Sequence, residues 1–289
     1  MEPAQGKRGG DAGEGSVDDD GGGGGGGGTE SRQVRRVARY HTQPADGVIV
    51  DDKVAVLLYT DAFGLSMPNP KIQADAFAEH LKLHVFVPEY IPEPPPAELF
   101  EPVAPIYPEQ YANRSWFTTI RMFFGVITKV YPWLPMLLMP KKQVPLAQAA
   151  LEDLVQEGYT TLGAIGYCRG GAMVEYLLSN PANNASLRCG VMCHPSPERA
   201  TYEGIEKPSL WHLADHDQMF GQKEIDHLKE VFDKKKVEKG VEFECVVHPD
   251  TVHGFAARPT LDHEPTKKAF EEANSSAIAF FRKHLLSGV

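Results

Sequence analysis

Downstream of about Gly47, short unbroken apolar runs alternate with longer stretches whose apolar residues recur at helical spacing. Val54-Ala55-Val56-Leu57-Leu58-Tyr59 has no polar interruption and is too short for a free-standing helix. It therefore predicts a strand covered on both faces. His84 to Pro88, Leu162 to Ile165, Gly190 to Cys193, Leu210 to Ala214 and Val241 to Val247 read as further strands. Between them, Ala74 to Leu83, the set Ala147, Ala150, Leu151, Leu154 and Val155, and Ala172 to Leu178 fit helices, as does the charged stretch Lys223 to Lys239. Phe270, Ala273, Ala277, Phe280 and His284 put one stripe on a closing helix. The alternation predicts an α/β domain over 34–289, with a mainly parallel sheet and helices on both faces.

Two regions break the pattern. Residues 1–33 hold a glycine run, Gly21 to Gly28, beside Asp18, Asp19 and Asp20. Such a segment cannot bury enough apolar surface to offset its ordering entropy, so a disordered tail is expected. Arg32, Arg35, Arg36 and Arg39 follow it as a basic patch, read as a solvated flank. The second region, about 91–144, opens on Pro92, Pro94, Pro95 and Pro96 and carries Tyr107, Tyr111, Trp116, Phe117, Phe123, Phe124, Tyr131 and Trp133. It is too aromatic for a solvated linker and reads as an insertion over the sheet edge, either a lid or a pair of packing helices. Its apolar stretch from Met122 to Met139 is interrupted by Lys129, Pro132 and Pro135, which argues against a membrane span.

Composition narrows the partners. A net charge of −10 over 289 residues disfavours nucleic acid or an anionic membrane. A monomer or homodimer acting on a small molecule is the expected state. Four cysteines in such a chain do not make a disulfide framework, and Cys189 and Cys193 read as reduced core thiols on one strand face. With no secretory signal in the first apolar residues, the cytoplasm is the expected compartment.

The chemistry enters at Gly166-Tyr167-Cys168-Arg169-Gly170, immediately after an apolar strand. This is the G-x-S-x-G nucleophile elbow with cysteine in the serine position. A sharp strand-to-helix turn needs residues with almost no side chain two before and two after the nucleophile. The same turn sets the thiol at a helix N-terminus, whose dipole favours a thiolate. Downstream, one strand ends in Asp215-His216-Asp217 and the next in Asp250-Thr251-Val252-His253-Gly254-Phe255. A carboxylate and then a histidine after the nucleophile is the order of the α/β-hydrolase triad. An imidazole would make the Cys168 thiolate accessible, and a buried carboxylate would fix the imidazole tautomer. Asp217 suits the acid better than Asp215, since it stands two residues further into the loop. His194, His212, His216 and His248 match no standard metal-ligand spacing, so no metal is expected.

With these motifs placed, the chain resembles the dienelactone hydrolase (carboxymethylenebutenolidase) family, α/β-hydrolases with a cysteine nucleophile, from about residue 45 to the end. The matching stretches are Gly166 to Gly171, Asp217 in Ala214-Asp215-His216-Asp217, His253 in His253-Gly254-Phe255-Ala256, and Thr60-Asp61-Ala62-Phe63-Gly64. The resemblance implies the α/β-hydrolase fold and hydrolysis of a lactone or small ester, without metal or organic cofactor. Cys168 would be the nucleophile, His253 the proton shuttle and Asp217 its orienting acid. The backbone N–H groups of Ala62 and Arg169 would form the oxyanion hole. Asp61 would control the thiol, one methylene shorter than the glutamate of bacterial members. Arg258, displaced by one residue from the family position, would meet a substrate carboxylate, with Phe63 and Tyr167 in the substrate pocket. A larger apolar ester, or a non-catalytic role with Cys168 as a redox-sensing thiol, are the competing readings.

Overall fold

The computed structural model of the protein describes residues 36–100, 107–112, 128–135 and 139–287. The tail predicted over 1–33, Arg35, and residues 101–106, 113–127 and 136–138 of the predicted insertion lie outside them. The sheet has seven strands: β1 (Arg39–Thr42), β2 (Val54–Tyr59), β3 (His84–Pro88), β4 (Thr161–Tyr167), β5 (Leu187–Cys193), β6 (Ser209–His216) and β7 (Phe243–Val252), in the spatial order β1-β3-β2-β4-β5-β6-β7. Every neighbouring pair is parallel except β1 with β3. The helices are α1 (Asn69–Leu81), the short α2 (Glu109–Ala112), α3 (Val144–Gln156), α4 (Arg169–Ser179), the one-turn α5 (Arg199–Tyr202), α6 (Gln222–Lys239) and α7 (Glu264–Leu285). This is the mainly parallel α/β sheet that the apolar pattern predicts.

The unbroken apolar strands have the physical basis inferred for them. In β2, Ala55, Leu57 and Tyr59 pack with α3, α4 and α6 residues on one face. Val54, Val56 and Leu58 pack with Ala74, Phe77 and Leu81 of α1 and Ala273, Ala277 and Phe281 of α7 on the other. Both faces are buried, so alternation would have exposed a polar row to hydrocarbon. Cys189 and Cys193 belong to the second of these cores as free thiols.

The structure departs from the sequence reading in three places. Arg36 and Arg39, expected in a solvated flank, both pair with Glu157, at 2.9 Å and 2.6 Å, and the Arg39 guanidinium lies 4.6 Å from the Phe86 ring centroid. Arg39 opens β1, an edge strand too short and polar to leave a pattern. Helix α1 starts five residues before Ala74, with a proline in its first turn, where the missing N–H costs no helical bond. Strand β7 runs on to Val252 through His248, Pro249 and Asp250. It is an edge strand paired only to β6, and proline is tolerated there. No helix of the described residues is long and apolar enough to cross a membrane.

One buried acid has a measurable consequence. Glu175 of α4 is fully buried, and its Oε2 lies 3.1 Å from the Thr201 hydroxyl. Burial pushes its pKa well above the usual carboxylate range, with the nearby Glu198 and Glu224 adding to the shift. The folded chain thus binds a proton that the unfolded chain releases above about pH 4.3, so this group lowers stability as pH rises through that window. Glu175→Gln removes the penalty. Its melting temperature should exceed that of the parent increasingly from pH 5 to pH 8, by about 2–4 °C for each kcal/mol recovered; thermal unfolding across that range measures it.

Candidate active site

The carboxyl ends of β2, β4, β5, β6 and β7 meet at one edge of the sheet, where a parallel sheet gathers functional groups. Cys168 links β4 to α4 with φ 51° and ψ −112°, a conformation that costs a non-glycine residue about 1–3 kcal/mol. Neighbouring backbone holds it there. Its N–H donates to the Cys193 carbonyl at 3.0 Å, and its carbonyl accepts from Gly171 at 3.0 Å and Ser196 at 3.2 Å. A Cβ at Gly166 would collide with the backbone of Gly170, and one at Gly170 with the carbonyl oxygens of Tyr59 and Thr60. The elbow is therefore built by close backbone approach between β4, α4 and the end of β2. Cys168 itself is half-buried.

Two residues from other strand ends complete a charge-coupled group. His253 follows β7, and its Nδ1 lies 2.8 Å from Oδ2 of Asp217, whose side chain is fully buried. The other oxygen of Asp217 accepts from the N–H groups of Met219 at 2.8 Å and Phe220 at 3.3 Å, which fixes the carboxylate. Asp215 is used elsewhere. It accepts from the backbone N–H groups of Asp250 and Thr251 at 3.0 Å and 3.1 Å, pinning β7 to β6. Asp215, His216 and Asp250 also form the one group of three possible metal ligands among the described residues, fully on the surface. Burial opposes charge on both Cys168 and His253. The imidazolium nevertheless pulls the Cys168 thiol below its usual pKa. The thiolate and the Asp217 carboxylate together hold His253 well above the usual histidine range. The arrangement favours a thiolate–imidazolium pair.

The β2 end supplies a second cluster. Asp61 Oδ1 accepts from the Phe63 N–H at 3.0 Å, and Oδ2 lies 3.1 Å from Nε of Arg258, whose guanidinium sits 4.4 Å from the Phe63 ring centroid. Arg258 reaches Asp61 because residues 254–258 make one turn, closed by its N–H on the Gly254 carbonyl at 3.0 Å. Gln73 of α1 secures that turn at the Ala256 carbonyl, 2.7 Å away. Asp61 and Arg258, expected as separate groups for thiol and substrate, thus face each other as an ion pair. Asp61 also acts on Cys168 through charge, working against its ionisation. Burial raises the pKa of Asp61 against the pull of Arg258. Ala62 lies in the turn closed by Gly64 N–H on the Asp61 carbonyl at 3.2 Å, and Arg169 opens α4. Phe63 and Tyr167 are both buried. The Phe63 ring meets Phe100 of the predicted insertion at 5.3 Å between centroids.

The sequence motifs missed His194. It follows β5, is completely buried, and stands edge-to-face with His253 at 5.0 Å between ring centroids and 66° between planes. Its place directly after the apolar run ending at Cys193 was the available signal, since the other strand ends carry the site.

The sequence profile of the dienelactone hydrolase family matches residues 136–285. The chain belongs to that family. It is accordingly a carboxylic ester hydrolase of the α/β-hydrolase fold. Among relatives, a carboxymethylenebutenolidase homolog of Xenopus tropicalis is 26% identical over 88% of this chain and 89% of that protein. The hydrolase pyvD of Aspergillus violaceofuscus is 24% identical over 80% of this chain and 81% of that one. A dienelactone hydrolase-like promiscuous phosphotriesterase from metagenomic libraries shares the fold with a TM-score of 0.57 at 16% identity, over 86% of this chain and 99% of that one. Esterase 2 of Thermogutta terrifontis does so with a TM-score of 0.55 at 13% identity, over 85% and 88%.

The elbow's close packing can be tested directly. Gly170→Ala forces a Cβ against two carbonyl oxygens that cannot rotate away. Chemical denaturation should show a loss of at least about 2–3 kcal/mol, or no folded protein at all.

Proposed function

We propose that this hydrolase cleaves a lactone or small ester through a covalent thioester on Cys168. The observation that carries the reading is the 2.8 Å Asp217–His253 contact beside a strained, half-buried thiol whose ionisation His253 favours. The Cys168 thiolate attacks the carbonyl carbon, and the π pair moves to oxygen, where the N–H groups of Ala62 and Arg169 receive the oxyanion. Collapse of that intermediate breaks the C–O bond, and the leaving oxygen takes the Nε2 proton of His253. Water then attacks the thioester while His253 takes its proton, the thiolate leaves, and the carboxylic acid product is released. Asp217 keeps Nδ1 protonated and the ring oriented throughout. No metal or organic cofactor enters, the cytoplasm is the expected compartment, and a monomer or homodimer would suffice.

Arg258 bears on the substrate. Its Nε is engaged by Asp61, while the guanidinium presents further donors at the Phe63 face. A substrate carboxylate meeting those donors would compete with Asp61 for Arg258, which favours a dienelactone. The second reading is an uncharged, more apolar ester, favoured by the existing Asp61–Arg258 pair and by Phe63 against Phe100.

Dienelactone and p-nitrophenyl acetate as parallel substrates separate the two readings. Cys168→Ala should abolish turnover of either, and hydrolysis that survives it would overturn the mechanism. Asp217→Asn should lower kcat/KM about 10²–10⁴-fold, whereas Asp215→Asn should leave it within a fewfold. Because the Cys168 pKa is lowered and the His253 pKa raised, activity should rise with pH below the ordinary thiol pKa of about 8.5. It should fall again at alkaline pH, as His253 loses the proton the leaving group needs. A profile that follows an unperturbed thiol, still climbing through pH 8.5, would contradict the ion pair.

A further inference from the structure

We infer that His194 is a positioning residue for His253: its ring is a wedge that holds the His253 imidazole against Cys168. This rests on the reading of Cys168 and His253 as nucleophile and proton shuttle. The loop after β5 touches both halves of the site. Cys193 gives its carbonyl to the Cys168 N–H at 3.0 Å, and the next side chain, His194, meets the His253 ring edge-to-face. On its other sides the His194 ring faces Tyr167 at 6.2 Å and Phe255 at 5.5 Å. It therefore fills the space between the residue before the nucleophile and the turn that carries the shuttle.

The wedge is itself fixed. His194 takes φ 37°, in the left-handed region, and its N–H donates to the His212 carbonyl at 2.7 Å. The His212 ring is locked in turn by His248 at 3.0 Å and by the Ser276 hydroxyl at 2.9 Å.

Its chemistry suits packing rather than proton transfer. Both ring nitrogens of His194 are buried without a hydrogen-bond partner among the described residues. Burial, reinforced by the charge of His253, keeps its pKa well below the usual value, so it stays neutral when His253 is charged. A neutral edge-to-face ring can support an imidazolium without repelling it, whereas a second cation at that distance would lower the pKa of His253. Among the described residues the Nε2 of His253 has no nitrogen or oxygen partner and is left to the Cys168 sulfur. Orientation toward that sulfur depends on Asp217 at the other nitrogen and on the packed ring walls.

The test compares His194→Phe, which keeps a planar ring and removes the nitrogens, with His194→Ala, which removes the wedge. Two readouts apply: hydrolysis of p-nitrophenyl acetate, and the pH dependence of Cys168 alkylation by iodoacetamide, located by mass spectrometry. His194→Phe should keep kcat/KM within about threefold and leave the thiolate pKa in place. His194→Ala should lower kcat about 10- to 100-fold at similar KM, as expected for misplacement of a reacting group, and raise the pKa of Cys168 toward that of a free thiol. His194→Leu, which fills the volume without a flat ring, replaces the alanine variant if that one does not fold. An alanine or leucine variant with parental kcat and thiolate pKa would overturn the proposal. So would a folded phenylalanine variant as impaired as alanine, since the nitrogens would then be what matters. His253→Ala distinguishes the underlying reading: if it too retains activity and thiolate pKa, the assignment of the shuttle fails rather than that of the wedge.

Discussion

The backbone approach of α4 to the end of β2 constrains everything else in the site. Gly170 lies so close to the Tyr59 and Thr60 carbonyl oxygens that no side chain fits between them. That contact drives the chain through the strained φ and ψ of Cys168. It also places the thiol at the start of α4 and brings Asp61 and Ala62 alongside it. Hydrogen bonds to both the N–H and the carbonyl of Cys168 then hold the strain. The conformation survives because parallel pairing of β2, β4 and β5 over-determines where the turn must lie.

Upon this frame the electrostatics are arranged in two opposed pairs. Asp217 favours the charged form of His253, which in turn stabilises charge on the thiol, while Asp61 works against that charge and is itself held by Arg258. The balance is local because all four groups are wholly or largely buried, where charges interact more strongly than in water. Both His253 and Arg258 ride on the turn that follows β7, and α1 pins that turn through Gln73. A shift of α1 would therefore be felt at both pairs.

Much of the fold was legible because burial on both faces leaves an unmistakable mark. The limits of β2 and β3 coincide with the apolar runs that predicted them. What escaped was edge structure. β1 and the outer half of β7 are half-exposed, polar and interrupted by proline, and pairing rather than composition defines them. Among site residues, the elbow could be read from spacing. Asp217, preferred to Asp215 because it stands further from the strand, is the carboxylate that meets His253. His194 was harder to assign, since a buried histidine and a surface histidine look alike in sequence and only its place after an apolar run sets it apart.

The chain alone determined a mainly parallel sheet, the tight Gly-x-Cys-x-Gly turn after β4 and the chain order of Cys168, Asp217 and His253, because these are written in local periodicity and short-range sterics. Only tertiary structure decided that Asp61 faces Arg258, that Glu157 gathers Arg36 and Arg39, and that His194 stands against His253. Those pairs join residues 59 to 197 positions apart, and nothing in the spacing of either partner specifies the other. Their energies depend on burial and orientation, which exist only once the sheet has brought its strand ends together.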